Sequence, residues 1–441
     1  MIDRQATATT GHPAPTRDTT PAAGTAPADR AAVADVVIGA NYGDEGKGLV
    51  TDHLAATGPH AVVIRSNSSA QAGHTVQTPD GRRHVFHHIG AGALAGADTL
   101  LGPRFVAHPM LLGRELADLA GLGVRPRVLV DPRSPVAVPH DVVLNQLAEQ
   151  ARGGARHGSC GIGFGEAIER HLRPRFALTA ADLGDRNLVV ERLRDIRDVW
   201  VEQRAAVLGL TIPADRRRLL DGDDLIERWL ADVDGFLAAI EPAEIGRLPA
   251  GRPVVETAQG LLLDEVRGAF PNVTRSRTGL TNAVRLAQET GLAELRVTYV
   301  TRCYLNRHGA GPLPRELAAA PPGVVDPTNR PNDFQGHVRY AWLDLDELAE
   351  RIDADLDIRA DGITATARLA VTCLDQLDPI PYRVGGRERR ADADRFLDDV
   401  ERATGLPVAL VADGPSRSDV ATRGPTGSSA SRPQHEVLVG G

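Results

Sequence analysis

Gly39-Ala40-Asn41-Tyr42-Gly43-Asp44-Glu45-Gly46-Lys47-Gly48 follows a short apolar run, Val36-Val37-Ile38, and leads into Leu49-Val50-Thr51-Asp52-His53-Leu54 with helical spacing. The three pieces read as strand, glycine-rich turn and helix. Free backbone N–H groups in such a turn, together with the positive start of the helix, make a seat for phosphate. Lys47 adds a point charge for the same phosphates. The order differs from the common phosphate loop, because no glycine stands five places before Gly46 and Gly48 replaces the usual Ser or Thr. The turn carries a carboxylate instead, Asp44. An acid placed against bound phosphates holds Mg²⁺, takes a proton, or does both. Glycine-rich turns after strands are common, but Gly-Asp-Glu-Gly-Lys-Gly at a strand-to-helix turn is far more specific.

Outward from this turn, apolar runs alternate with helical patterns. Strands are expected at Val62-Val63-Ile64, Thr99-Leu100-Leu101, Val128-Leu129-Val130, Val254-Val255, Leu295 to Val300 and Leu369 to Thr372. Helices are expected over 109–121, 137–152, 192–208 and 222–240. This alternation predicts an α/β fold with a largely parallel central sheet flanked by helices, and a P-loop-like turn after the first strand. Ligands of such sheets gather at the carboxyl ends of the strands. The charged segment 187–249 reads as a helical insertion. Residues 1–33, rich in Ala, Thr, Pro and Asp, and residues 417–441, rich in Ser, Gly, Arg and Pro, read as disordered tails around a domain spanning 34–416.

The 441 residues carry a net charge of −8 and a pI near 6.0, which argues against nucleic-acid binding driven by the whole surface. No apolar run approaches the ~20 residues needed to span a bilayer. The N-terminus has no apolar signal core, so a cytoplasmic protein is expected. Cys160, Cys303 and Cys373 are widely spaced and read as reduced thiols.

Four further stretches carry chemistry. Gln71-Ala72-Gly73-His74-Thr75 follows Arg65-Ser66-Asn67-Ser68-Ser69 in a Gly- and Ser-rich loop. Next come Glu256-Thr257-Ala258-Gln259-Gly260-Leu261-Leu262-Leu263-Asp264 and Phe270-Pro271-Asn272-Val273-Thr274. Arg307-His308-Gly309-Ala310-Gly311-Pro312-Leu313-Pro314 has the Gly and Pro content of a loop, and Val411-Ala412-Asp413-Gly414-Pro415 closes the series.

Taken in order, these motifs resemble the adenylosuccinate synthetase family, whose members join aspartate to IMP at the expense of GTP. The resemblance spans roughly residues 35–416. It implies that Asp44 removes the purine N1 proton and binds Mg²⁺, with the Gly73 carbonyl as a second metal contact. His74 acts as the acid near the bond between the γ-phosphoryl group and the purine oxygen. Gln259 contacts the 6-oxygen, and Lys47 serves the phosphates. Gly43, Glu45, Gly46, Lys47, Gly48, Thr75, Asp375, Ala412, Gly414 and Pro415 are implied GTP contacts. Gln71, Ser159, Cys160, Arg173, Arg175, Gln259 and Thr274 are implied contacts of the nucleotide substrate. A homodimer with the site near its interface is implied too. The chemistry is coherent on its own terms: a 6-oxo group is a poor leaving group, and deprotonating N1 makes its oxygen nucleophilic enough to attack GTP. An amine then displaces the phosphoryl ester. One base, one acid, a metal and a phosphate cradle suffice.

Departures from the family pattern sharpen the reading. Gln71 replaces an asparagine. Thr372-Cys373-Leu374-Asp375 lacks the lysine of Thr-Lys-x-Asp, so Asp375 alone reads guanine and selectivity for GTP is relaxed. Gly158-Ser159-Cys160-Gly161 keeps one phosphate-binding hydroxyl and replaces the next threonine by cysteine. Arg275 and Arg277 interrupt a serine- and threonine-rich run. The largest break precedes Trp342-Leu343-Asp344, where the arginine-rich loop that grips aspartate is absent. Only Arg339, and Arg330 if the loop is redrawn, remain as donors for the amine substrate, and a dicarboxylate needs paired donors. Three functions follow: an adenylosuccinate synthase-type ligase, a specialised paralogue in nucleoside-antibiotic formation taking another amine or purine-like nucleotide, or a nucleotide-binding regulator without catalysis. Retention of Asp44, Lys47, His74 and Gln259 favours chemistry.

Overall fold

The computed structural model describes residues 33–59, 61–248, 251–329, 334–358 and 362–424. The tail expected at 1–33 lies outside these residues except for Val33, as do residues 425–441.

The strand Val33–Gly39 has all but its first residue buried. It runs parallel to Val254–Gly260 on one side and to Glu294–Arg302 on the other. Beyond Val254–Gly260 lie Val62–Arg65, Asp98–Leu101, Val128–Val130 and Glu241–Pro242; beyond Glu294–Arg302 lie Thr364–Thr372, Val408–Ala412 and Val420–Thr422. Every pairing in this sheet is parallel except the last, where Val420–Thr422 turns back on Val408–Ala412. The expected parallel sheet is present.

Helices cover both faces, which is why the strands read as continuous apolar runs. Side chains alternate across the sheet. Val36 and Ile38 therefore enter a core shared with the helices Leu280–Thr290, Leu345–Leu356 and Ala393–Thr404, whereas Val37 faces the opposite core with Leu49, Val50 and Leu54 of the helix Lys47–Thr57. That helix begins directly after Gly46, whose φ of 93° lies in the left-handed region glycine tolerates.

The described part of the expected insertion, residues 187–248, is largely helical, with Arg186–Asp195, Val201–Leu208, Ala214–Asp221 and Asp223–Ala239. They have no separate core. Trp200, Trp229 and Phe236 share one apolar cluster with Leu101, Val128 and Leu144, so the helices extend the edge half of the sheet. A second, four-stranded sheet joins Tyr304–His308, Val338–Asp344, Ile380–Val384 and Arg387–Ala391. Arg307 and His308, read as loop from their Gly- and Pro-rich surroundings, thus end a strand.

The domain end expected at residue 416 needs correction. Val420–Thr422 hydrogen-bonds to the main sheet, and Arg417 Nε lies 3.1 Å from the buried Asp52 Oδ2. Low sequence complexity does not prevent backbone pairing to a sheet edge. No helix among the described residues is long and apolar enough to cross a membrane, and the three cysteines are free.

Because Leu369 is fully buried in a central strand, Leu369→Ala should lower unfolding stability by about 2–5 kcal/mol. Urea denaturation followed by circular dichroism measures this; a loss below ~1 kcal/mol would mean the sheet centre collapses onto the gap.

Candidate functional site

Parallel pairing brings the carboxyl ends of Val33–Gly39, Val62–Arg65, Val254–Gly260, Glu294–Arg302, Thr364–Thr372 and Val408–Ala412 to one edge of the sheet. The motif loops leave from these ends. Gly43 (φ 111°) lies so close to Gln259 that a Cβ there would sit 2.9 Å from the Gln259 Cα. At Gly48 a Cβ would meet the Thr75 carbonyl oxygen at 2.9 Å. The turn is thereby wedged between the second and third motifs.

Inside the turn, Glu45 Oε1 accepts from the N–H groups of Asn41 (3.1 Å) and Gly43 (2.7 Å). Burial pushes the Glu45 carboxyl up, and Lys47 opposes that. Lys47 Nζ donates to the Gly43 carbonyl at 2.6 Å and lies 3.6 Å from Glu45 Oε2. The Glu45 side chain therefore builds the turn, while Lys47 rests on the Gly43 carbonyl inside it.

His74, Glu256 and Arg65 form a buried line. Strand register sets Glu256 opposite Val37 on one side and Arg65 on the other. Glu256 Oε1 lies 2.7 Å from His74 Nδ1, and its Oε2 lies 3.5 Å from Arg65 Nη1 and accepts the Ala91 N–H at 3.2 Å. Burial raises the Glu256 carboxyl, but His74 and Arg65 outweigh it and hold the group below the usual carboxylate range. Burial lowers His74 to about 4, more than Glu256 restores. The pair is accordingly a neutral imidazole beside an ionised carboxylate, with Arg65 supplying the permanent positive charge. Nε2 has no partner.

Gly43, Asp44, Lys47, Gly73, His74 and Thr75 line a single cavity of about 100 Å³ together with Arg302, Asp326, Thr328 and Asn329. Asn306 Nδ2 lies 3.5 Å from Asp44 Oδ2, and Arg302 Nε donates to the Asp44 carbonyl. The hard oxygen donors of Asp44 and Gly73 suit Mg²⁺, which takes one or two protein oxygens and completes its shell with water and phosphate. No cluster of three or more His, Cys, Asp or Glu that would hold a metal unaided occurs among the described residues.

Beyond this cavity, Gln71 Nε2 donates to Thr274 Oγ1 and to Ser68 Oγ, both at 3.1 Å. Gln259 adopts a left-handed φ of 66°, strained for a non-glycine residue. The Ser159–Cys160 loop is held nearby: Ser159 Oγ donates to Asn145 Oδ1 at 2.8 Å, and Asn272 Nδ2 reaches the carbonyls of Arg156 and His157 at 3.3 Å. Burial pushes the Cys160 thiol up to about 11, so it stays protonated. At the ends of the strands Thr364–Thr372 and Val408–Ala412, Leu374 N–H donates to Ala412 O at 3.2 Å, and Thr372 Oγ1 donates to Glu45 O at 2.8 Å. The loops bearing Asp375, exposed, and Gly414-Pro415 thus adjoin each other and the phosphate turn.

Some expected donors are committed elsewhere. Arg275 pairs with Glu169, and Arg277 Nε lies 3.1 Å from Asp264 Oδ1, so neither is poised for an anion. Arg339 donates to the carbonyls of Gly309 (2.8 Å) and Gly311 (2.7 Å) and pairs with Glu316 at 2.6 Å. As placed it braces the glycine-rich loop and does not await a carboxylate. Arg330 lies outside the described residues. Arg175 is exposed and pairs with Asp195 at 2.9 Å, and Arg173 is exposed on the same turn.

Glu256, Arg302, Asn306 and Asp326 escaped the reading of the sequence as site residues. Glu256 opens a motif already singled out, so its carboxylate was a signal. Arg302 sits two residues past the expected strand Leu295 to Val300, at a carboxyl end where ligands gather. Nothing local marks Asp326.

A family model described as adenylosuccinate synthetase matches residues 36–378. The adenylosuccinate synthetase of Alkalilimnicola ehrlichii is 31% identical over 445 residues, covering 87% of this chain and 96% of that protein. That of Methylococcus capsulatus is 30% identical over 442 residues with the same coverage. Two solved structures share the fold. Fully ligated adenylosuccinate synthetase from Plasmodium falciparum gives a TM-score of 0.65 at 18% identity, over 89% of this chain and all of that one. The cyanophage S-2L succinoaminodeoxyadenylate synthetase, bound to dGMP and to dATP as energy donor, gives 0.58 at 18% identity, over 89% of this chain and 96% of that one. With motif order, sheet topology and sequence match in agreement over most of its length, the chain belongs to the adenylosuccinate synthetase family.

Proposed function

We propose that this chain joins the amino nitrogen of L-aspartate to C6 of IMP, using GTP and passing through 6-phosphoryl-IMP. The observation that carries the reading is the one cavity lined by Asp44, Lys47, Gly73 and His74, where a carboxylate, an ammonium, a backbone carbonyl and an imidazole converge. Asp44 takes the N1 proton, so that O6 attacks the γ-phosphorus and GDP departs. The amine then adds at C6 and phosphate leaves with the former O6. Lys47 gives up the Gly43 carbonyl to meet the phosphates. Gln259 orients the 6-oxo group from its strained position against the turn, and Gln71 and Thr274 hold the nucleotide side. Asp375 reads guanine. Asp44 and the Gly73 carbonyl would hold Mg²⁺, which when bound neutralises phosphate charge. Arg173 and Arg175, exposed in one chain, would serve the site of a second copy in a homodimer.

His74 needs a proton that burial denies it. Its Nδ1 lies 2.7 Å from Glu256 Oε1, which leaves Nε2 for the reacting oxygens, and burial holds the ring near 4. Negative charge arriving with the triphosphate reverses that balance by favouring the imidazolium. Glu256 then keeps its place on Nδ1, and Nε2–H becomes the acid.

A second reading, a specialised paralogue with another amine or purine-like nucleotide, is favoured by one observation: Arg339 is spent on the Gly309 and Gly311 carbonyls.

Two measurements test these assignments. Purified protein with GTP, Mg²⁺, IMP and L-aspartate should release GDP and yield adenylosuccinate by mass, and Asp44→Asn should lower kcat by about 10²–10⁴-fold. Undiminished turnover in that variant would remove Asp44 from the role of base. Calorimetry of nucleotide binding at pH 6.5 in buffers of different ionisation enthalpy should register close to one proton more taken up by the wild type than by His74→Asn. Equal uptake would place the acid elsewhere.

A further inference from the structure

The amine must reach C6, whose oxygen has just received the phosphoryl group, so the carboxylates of aspartate fall against the walls of the same cavity. Among the described residues lining it, the cations are Lys47 and Arg302. Lys47 belongs to the phosphate turn, which leaves Arg302. Its guanidinium is already met by a carboxylate: Nη1 and Nη2 each lie 3.2 Å from Asp326 Oδ2. The Asp326 side chain is 5% exposed and that of Arg302 12%. The remaining bonds of Arg302 run to the Asp44 carbonyl through Nε and to Tyr304 Oη (2.8 Å) through Nη1.

Asp326 is presented from a short surface loop and not from the core. Val325 beside it is 67% exposed, and Pro327 is exposed too. Asp326 Oδ1 accepts the N–H groups of Thr328 (3.2 Å) and Asn329 (3.1 Å), bonds that shape the turn itself. The loop is tied to its surroundings by Arg83 Nη2 on Thr328 Oγ1 (2.6 Å) and Gln376 Nε2 on Val325 O (3.3 Å). Within the turn Asn329 Nδ2 also donates to Asp326 Oδ2 at 2.8 Å, and Val324 packs against the main core. Among the described residues the turn beyond Val324 is tied outward through Arg83, Gln376 and Arg302, so it can shift while Arg302, anchored to Asp44 and Tyr304, stays.

We propose that Asp326 is a built-in occupant of the substrate-carboxylate position on Arg302, displaced by a carboxylate of the incoming aspartate. This rests on the function proposed above. The side chain of Asp326 is the same chemical group as the β-carboxylate of the substrate, so the exchange replaces one charge-assisted pair by another. The cavity never holds an unpaired guanidinium, and aspartate must compete for its place.

The test uses the full chain and Asp326→Asn, which keeps an oxygen for the turn while placing an amide against Arg302. At saturating GTP, Mg²⁺ and IMP, KM for L-aspartate should fall by about tenfold, the worth of a charge-assisted hydrogen bond no longer to be broken, with KM for GTP and IMP within twofold. Succinate, a dicarboxylate without the amine, should raise the melting temperature at about tenfold lower concentration in the variant. Arg302→Lys should shift both readings the opposite way. A KM for aspartate that rises or stays put in Asp326→Asn, with kcat reduced, would overturn the proposal and make Asp326 a support for the Asp44 loop. The succinate titration needs no turnover: if wild type forms no adenylosuccinate, the proposed function fails, while succinate binding still reports whether Asp326 and Arg302 compete as described.

Discussion

The backbone of the phosphate turn lies directly on the backbone that ends the strand Val254–Gly260. A Cβ at Gly260 would fall 2.4 Å from the Asn41 carbonyl oxygen, and one at Gly39 would fall 2.8 Å from the Gln259 carbonyl and 2.4 Å from Glu45 Oε2. Contact this close demands glycine on both sides. It is what brings two motifs, more than 200 residues apart, into one site. From it follow the left-handed Gln259, the inward turn of Glu45 and the parking place of Lys47.

Around that contact the charges are arranged so that none is buried alone. Arg65 stands against Glu256, Glu256 against His74, Glu45 against Lys47, and Asp326 against Arg302. A buried charge left without a partner costs far more than a pair returns. The side chains at the sheet edge therefore satisfy one another. Lys47 turns to a carbonyl, Arg302 to an aspartate, and His74 stays neutral.

Much of this was legible in the sequence because it is local or periodic. The strand-turn-helix at residues 36–54 follows from apolar spacing and glycines, and the alternation of strands and helices led to the parallel sheet. Gln71 and Thr274 were named from separate motifs and meet at 3.1 Å. Arg339 shows the limit. As an arginine surviving in a depleted loop it read as a substrate donor, yet pairing of Tyr304–His308 with Val338–Asp344 sets it under the Gly309–Gly311 carbonyls. The end of the domain was misplaced for a related reason: composition after residue 416 resembles a tail, but edge pairing depends on backbone and not on side-chain hydrophobicity.

What the sequence determined by itself, then, is the family and its frame: the strand-turn-helix, the order of the motifs, and that the sheet is parallel. These rest on interactions spanning a few residues. Only the tertiary structure decided which carboxylate faces which cation. Glu256 reaches His74, and Asp326 reaches Arg302, through strand register and loop placement, and neither leaves a mark on the residues nearby in the chain. Pairing across such separations is set by how the whole sheet packs, so no local pattern encodes it.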